Sequence, residues 1–171
     1  MIRFLRWLFD RRGGPTPTPG PRPTPPPPPI PSGGGDSPSR PHDNGIPRAA
    51  IGIATVTAIN TERDRSGLSV LAYGPALAAE ADGWARGMAR RGAIGHEGFA
   101  DRIARAAPNC AGGECVAYTW VDTPAAAVAS WMGSPPHRAI LLGDFDACGS
   151  GRAKGADGAV YWCAIAAKVN G

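Results

Sequence analysis

The chain has 171 residues and a formal net charge of +4 at pH 7. Residues 1–47 contain six arginines and three aspartates, so most of the excess positive charge lies there and the remainder of the chain is nearly neutral. That remainder has the size of one domain with a single core, and we expect the domain to be a monomer. Its sequence lacks the basic stripe with interleaved aromatic residues that is typical of nucleic-acid binding, so we do not expect it to bind nucleic acid.

The first twelve residues are basic and bulky. Arg6 interrupts their apolar run, which is therefore shorter than the roughly 7–15 residues of a secretory signal, and the segment is too short to span a bilayer. One interpretation is contact with a membrane surface, with the arginines at the headgroups and with Trp7 and Phe9 at the boundary. A signal sequence upstream of residue 1, export by another route and a segment that docks nowhere are the alternatives.

Residues 13–47 form a proline-rich linker. They contain 14 of the 19 prolines, with glycine, serine and threonine between them. The run 25–29 is predicted to be polyproline II, because each ring fixes φ near −65° and leaves no amide to donate. We therefore expect a disordered, semi-rigid spacer ahead of the folded domain; a ligand for an SH3-type domain is a weaker interpretation.

Two long helices open the domain, which we place at residues 48–171. The first is predicted over about 49–66, with Gly67 as its C-terminal cap. The second is predicted over about 75–91 and ends at Gly92. Its apolar residues recur at the spacing of one buried helical stripe, namely Leu77, Ala81, Trp84 and Met88.

Shorter elements follow. A third helix is predicted around Phe99 and Ile103, a strand over 115–120 and a fourth helix from Thr123 to Met132. Two hairpin strands are predicted over 145–153 and 159–169. This order places the chain in the α/β class and predicts a sheet that is covered by helices on both faces.

The segment 131–142 contains the most informative histidine, His137. Ser134 is expected to accept a hydrogen bond as the N-cap of a short helix, and Pro135 fits its first turn. His137 then lies near a helix N-terminus, where the helix dipole disfavours added positive charge. Neutral imidazole is the form that binds a metal or accepts a proton. The capping role of Ser134, together with the lack of a G-x-S-x-G motif in the sequence, argues against a serine nucleophile.

Four cysteines lie in the domain, at positions 110, 115, 148 and 163. Cys148 and Cys163 flank the glycine-rich turn 154–158, so a symmetric hairpin would place them opposite each other at a separation suited to a disulfide. Cys110 and Cys115 would close a small loop. Both pairings favour an oxidising compartment; the alternative is four buried free thiols in a reducing one.

Several short motifs follow one another along the domain, at residues 59–68, 77–81, 84–88, 94–96, 113–115, 131–142, 148–151 and 161–162. Together they resemble the CAP superfamily (the cysteine-rich secretory, antigen 5 and pathogenesis-related-1 group, or SCP domain) in its short bacterial form. The likeness extends over roughly residues 50–170 and implies a three-layer α-β-α sandwich. Asn60 and Arg63 match the family's polar pair, which we interpret as tying the first helix to neighbouring backbone.

The resemblance also implies a cleft with two histidines and two acidic residues. His96, Glu114 and His137 match three of these positions, and Ser134 stands where the second acid would be. In several members the histidines bind a divalent metal, so the resemblance implies His96 and His137 as ligands of a metal such as zinc. Glu114 would either bind the metal or orient a histidine from outside the ligand shell. A polar, water-filled cleft is the alternative.

The function that we favour is an extracellular or cell-surface binding module without turnover. Its cleft would take a small or lipid-like ligand or a cell-surface partner, with or without a metal. A serine in place of the second acid weakens any mechanism that needs paired carboxylates, so we do not favour an enzyme. A metal-dependent hydrolase of peptide or cell-wall substrates is the first alternative, and a structural display module on the proline-rich stalk is the second.

Overall fold

The computed structural model describes residues 47–169. The predictions for residues 1–12 and for the proline-rich linker therefore lie outside the described residues, apart from Pro47, which is the N-cap of the first helix. No helix in the described range is both long and apolar enough to cross a bilayer. That range contains, in order, α1 (Arg48–Arg65), β1 (Ala72–Tyr73), α2 (Pro75–Arg91), α3 (Phe99–Ala106), β2 (Gly112–Thr119), α4 (Pro124–Met132), α5 (Pro135–Leu141), β3 (Ala147–Lys154) and β4 (Val160–Ala167).

The four strands of this range form one sheet in the order β1-β3-β4-β2. β1 runs parallel to β3, whereas the β3–β4 and β4–β2 pairs are antiparallel. Residues of α1, α4 and α5 pack with one face of the sheet, and residues of α2 with the other face, where Phe99 and Ile103 of α3 also pack. The predicted three-layer α-β-α sandwich is confirmed.

Alternating side chains of the central strand β4 supply both cores. Trp162 and Ala164 face the layer of α1, α4 and α5, whereas Tyr161, Cys163 and Ile165 face α2. All five are at most 2% exposed. A strand buried on both faces reads as a continuous apolar run, as β4 does.

The layer of α2 approaches β3 closely at two glycines. A Cβ atom on Gly149 would collide with the backbone of Leu77 and Ala78, and one on Gly151 would collide with the backbone of Asp82. Glycine at both positions therefore lets the helix backbone lie directly on the strand.

The two long helices end where the sequence predicts, to within one residue. α1 begins and ends within one residue of its predicted bounds, and Gly67 follows it in the left-handed conformation at φ 70°. α2 has the predicted bounds, and Gly92 caps it at φ 64°. Because glycine adopts positive φ without steric cost, both residues can end a helix abruptly.

Asn60 and Arg63 tie α1 to the loops around it, as predicted. Asn60 Nδ2 donates to the Leu71 carbonyl at 2.9 Å, and the Leu71 amide donates to Asn60 Oδ1 at 2.8 Å. Arg63, only 3% exposed, donates to the carbonyls of Ser69, Leu141 and Gly143 at 2.8–2.9 Å. One buried guanidinium thus binds three chain segments together.

The pairing predicted for Cys148 and Cys163 is wrong. In the β3–β4 ladder Cys148 lies opposite Ala166, and Cys163 lies opposite Gly151. The offset of three residues puts the two thiols on opposite faces of the sheet, because side chains alternate along a strand.

The second predicted pairing is also wrong. Cys115 packs in the core beneath α4 and α5, whereas Cys110 packs against the core on the α2 side. Within residues 47–169 all four cysteines are free thiols. The cysteines consequently no longer argue for an oxidising compartment.

Candidate functional site

The structure brings His96, Glu114 and His137 together at the β2 edge of the sheet. Glu114 is the third residue of β2, and its side chain is only 1% exposed. His96 Nδ1 lies 2.9 Å from Glu114 Oε1. The ring centroids of His96 and His137 are 6.1 Å apart. His96 belongs to the loop between α2 and α3, and His137 to α5, so the two imidazoles come from opposite layers of the sandwich.

The loop that presents His96 is anchored on both sides. Gly92 and Gly98 bound it with positive φ angles of 64° and 71°. The indole of Trp84 donates to the Gly95 carbonyl at 2.8 Å, and the Phe99 amide donates to the His96 carbonyl at 3.1 Å. Trp84 is accordingly half-buried beside the site rather than fully enclosed in the core.

A fourth member of the site, Arg102 of α3, was not predicted from the sequence. Its Nε and Nη2 donate to both carboxylate oxygens of Glu114 at 2.7–2.9 Å. Its Nη1 donates to the Glu97 carbonyl at 2.6 Å, and its guanidinium lies 3.9 Å from the centroid of the Trp84 ring. A signal was present: Arg102 stands at i+3 from Phe99, within the apolar stripe of a short helix, where a charged residue needs a buried partner.

Glu114 therefore has partners on both oxygens. Besides Arg102 and His96, the Cys163 thiol lies 3.6 Å from Oε2. A carboxylate that accepts this many hydrogen bonds is poorly placed to take a proton from a ligand or to bind a metal. A His96 ring that donates its Nδ1 hydrogen to this carboxylate would leave Nε2 as an acceptor with a free lone pair.

His137 favours the neutral form, as predicted. Burial lowers the pKa of His137, and the positive charge that His96 can carry lowers it further. The neutral ring is the form that can bind a metal or accept a hydrogen bond.

Ser134 differs from its predicted role. It is the N-cap of α5 by position, and its carbonyl accepts from the Arg138 amide at 2.8 Å. Within the part of the chain described, however, its hydroxyl makes no capping hydrogen bond to α5. The two prolines that follow remove two amides, so fewer donors are left for the hydroxyl to satisfy.

Two imidazoles are the groups of this site that could hold a metal. Zinc–nitrogen bonds of about 2.0–2.1 Å would put two ring centroids roughly 5–6 Å apart around one ion, and the observed 6.1 Å lies just above that range. Among residues 47–169 no group of three or more histidine, cysteine or carboxylate side chains is arranged to hold an ion. Glu114 fits the outer position, where a carboxylate fixes the ring of a metal-binding histidine.

The fold is similar to that of three solved bacterial structures. The first is an outer surface protein of Borrelia burgdorferi, with 22% identity, a TM-score of 0.59 and coverage of 67% of this chain and 90% of that chain. The second is an extracellular protein containing an SCP domain from Bacillus anthracis, with 22% identity, a TM-score of 0.61 and coverage of 70% and 40%. The third is a cysteine-rich secretory protein of Staphylococcus aureus, with 19% identity, a TM-score of 0.56 and coverage of 68% and 37%.

At these identities the likeness establishes the fold alone, and this chain spans less than half the length of the second and third proteins. No curated protein matches the sequence significantly. The model of the cysteine-rich secretory protein family matches residues 56–165, which include His96, Glu114 and His137. Because that match covers well over half of the chain, the protein belongs to the cysteine-rich secretory protein (CAP) family.

Proposed function

We propose that the domain is an extracytoplasmic binding module whose cleft offers two imidazoles to a ligand and performs no turnover. The ligand is a divalent late transition metal, or a small molecule that donates hydrogen bonds to the imidazole nitrogens. The atoms that would contact the ligand are the ring nitrogens of His96 and His137 that carry a free lone pair. Such nitrogens bind zinc, nickel or copper, and they accept hydrogen bonds from polar ligands.

The observation that carries this proposal is the engagement of Glu114. Both of its oxygens face the guanidinium of Arg102, and Oε1 also faces His96. General acid–base catalysis needs a group that is free to exchange a proton with the substrate. A carboxylate held by a buried ion pair does not meet that need, and Ser134 supplies no second one.

A resident metal would be held by His96 and His137, with water completing its coordination. A bound zinc ion polarises its ligands and lowers the pKa of a bound water. Glu114 would hold the His96 ring in place, and the burial of His137 would favour its metal-binding form. With two protein ligands the site should bind its ion exchangeably rather than as a permanent structural element.

The proposed location rests on the relatives. The similar proteins of Borrelia burgdorferi and Bacillus anthracis are described as an outer surface protein and as an extracellular protein. We extend this location to the present chain as a proposal. The proline-rich sequence 13–47 suits a spacer between a domain and a surface.

Zinc titration of the metal-free protein tests the proposal. We expect isothermal calorimetry at about pH 7.5 to give a binding heat, and zinc to raise the melting temperature, because a ligand that binds the folded state stabilises it. The double variant His96→Ala/His137→Ala should lose both effects. His42→Ala is the matched control, since it removes a histidine outside the proposed site and should keep both.

Absence of both heat and thermal shift in the wild-type protein would rule out the metal ligand. The claim of no turnover is tested separately, with peptide substrates and peptidoglycan in the presence and absence of zinc. We expect no hydrolysis under either condition. A zinc-dependent hydrolysis that disappears in His137→Gln while its thermal melt stays unchanged would instead establish the metallohydrolase.

A further inference from the structure

Arg102 makes more contacts near His96 than it would need to neutralise the charge of Glu114. One edge of its guanidinium meets both carboxylate oxygens of Glu114. Its remaining nitrogen, Nη1, binds the carbonyl of Glu97, the residue that follows His96. Its face stacks on Trp84, whose indole binds the Gly95 carbonyl, the residue that precedes His96. The same group therefore contacts the partner of the His96 ring and the loop that carries it.

This arrangement fixes the direction of the carboxylate. A buried carboxylate with a single point charge beside it could rotate about its terminal bond, because that torsion is broad. A guanidinium fork holds the carboxylate plane, since two parallel N–H···O bonds form together. Here that plane keeps Oε1 at 2.9 Å from His96 Nδ1.

We propose that Arg102 is a positioning residue that acts through Glu114. It holds the His96 ring as the Nδ1–H tautomer and so keeps Nε2 as the free acceptor of the cleft. The inference rests on the proposed function in one respect, namely that Nε2 is the atom offered to the ligand. Arg102 is 5% exposed in its side chain and needs no contact with the ligand for this role.

The tautomer of His96 can be measured without any ligand. We would label the histidines with ¹⁵N, remove metals with a chelator and record long-range ¹H–¹⁵N spectra at about pH 8, where free imidazoles are neutral. In the wild-type protein we expect the hydrogen of His96 on Nδ1. In Arg102→Lys, which keeps the charge but not the fork, we expect a mixture with the Nε2–H tautomer that prevails in free histidine.

Two further variants separate this role from general damage. Arg105→Gln removes an exposed guanidinium one turn away on α3, where it pairs with Glu80, and should leave the His96 tautomer unchanged. Trp84→Phe removes the indole bond to Gly95 but leaves the fork on Glu114, and should also leave the tautomer unchanged. If Arg102→Lys fails to fold, this variant still tests the proposal, because loss of the Nδ1–H tautomer in it would show that the loop contact, and not the fork, fixes the ring.

The inference is overturned if folded Arg102→Lys keeps the pure Nδ1–H tautomer, if Trp84→Phe loses it, or if the wild-type ring carries its hydrogen on Nε2. A zinc titration of the same variants reports on the proposed function independently. If the wild-type protein binds zinc, Arg102→Lys should weaken the affinity roughly tenfold or more, as the loss of an orienting partner does. If it binds no zinc, the metal proposal fails while the tautomer measurement still stands.

Discussion

Arg63 illustrates how one buried side chain can hold the end of α1 to two other segments, the loop that follows α1 and the end of α5. Replacing it with methionine keeps most of its apolar stem but leaves the carbonyls of Ser69, Leu141 and Gly143 without this donor. Hydrogen bonds from a charged donor contribute about 1.5–3 kcal/mol each, but not additively, so we expect Arg63→Met to lower the free energy of unfolding by about 3 kcal/mol. Urea denaturation measures this change.

Arg65→Met is the matched control for that experiment. Arg65 lies on the same helix with its side chain 68% exposed, and it pairs with Glu62 on the surface. Exposed ion pairs contribute little, so the control should melt close to the wild-type protein. Equal losses in the two variants would contradict the role assigned to Arg63.

His137 makes stability depend on pH. Burial, with a smaller contribution from His96, lowers its pKa in the folded protein, so between that pKa and about 6.5 the unfolded chain binds more protons than the folded one. The free energy of unfolding should therefore fall as the pH drops from about 7 towards 5 and level off once both states are protonated. Chelator is present throughout, so that metal release does not contribute.

His137→Gln removes this titration. The stability of the variant should vary less steeply with pH over the same interval than that of the wild-type protein, as followed by urea denaturation at a series of pH values. Identical slopes would mean that His137 binds protons equally well in both states. The sign is decisive, since a histidine stabilised by a carboxylate partner would give the opposite trend.

At this scale the sequence indicated part of the site. Histidines are rare in the chain, and His96, Glu114 and His137 occur in motifs of a known family, so it was predictable that they would lie close together. For Arg102 the sequence shows only that a charged residue within the apolar stripe of α3 needs a buried partner; that this partner is Glu114 depends on how α3 and β2 meet. The missing cap at Ser134 likewise depends on hydroxyl geometry, which the residue type alone does not determine.

At the scale of elements, the contact between α2 and β3 is the most sensitive to a change of one carbon atom. Gly149→Ala would drive a methyl group into the backbone of α2 at Ala78. Backbone cannot move aside as a side chain can, so we expect a loss of about 3 kcal/mol or more in the free energy of unfolding. Chemical denaturation monitored by circular dichroism measures it.

Gly83→Ala gives the opposite expectation within α2 itself. The nearest atom to an added Cβ at Gly83 is the flexible end of Arg86, 4.0 Å away. Alanine is favoured over glycine within helices by about 0.5–1 kcal/mol, so this variant should be slightly more stable than the wild-type protein. If both variants were destabilised, the close approach of α2 to β3 would not explain the loss of stability in Gly149→Ala.

Periodicity predicted the elements better than it predicted their pairing. α2 was predictable from its long apolar stripe, and a glycine marks the end of each of the two long helices. β1 was missed, since two residues carry no periodicity and Ala72–Tyr73 is a strand only through its parallel pairing with β3. The hairpin strands were found, but their register was not, because the turn is centred near residue 157 and not midway between Cys148 and Cys163.

On the scale of the whole molecule, the site joins the two helical layers at a sheet edge. Glu114 and Arg102 lie on the α2 side with His96, whereas α5 brings His137 from the other side. A ligand held by both imidazoles would therefore connect layers that otherwise meet through the sheet. Zinc should accordingly raise the global melting temperature rather than only order the loop that carries His96.

The thiols report on the unfolding of the whole domain. Cys115, Cys148 and Cys163 are fully buried, and burial raises the pKa of all three, that of Cys148 to about 12. Cys110 is half-buried. Since the thiolate is the reactive form, a thiol reagent at neutral pH should label Cys110 first and the other three only when the domain opens.

Mass spectrometry of the labelled protein checks this expectation. Protein denatured without reductant should take up four labels, and native protein should take up one label rapidly and three slowly, with the slow rate rising in urea as global unfolding becomes more frequent. Cys110→Ser should remove the rapid label and leave the slow ones. Fewer than four labels in the denatured protein would reveal a disulfide. Each buried thiol lies between the sheet and a helical layer, so rapid labelling of all four thiols in the native protein would contradict a core on both faces of the sheet.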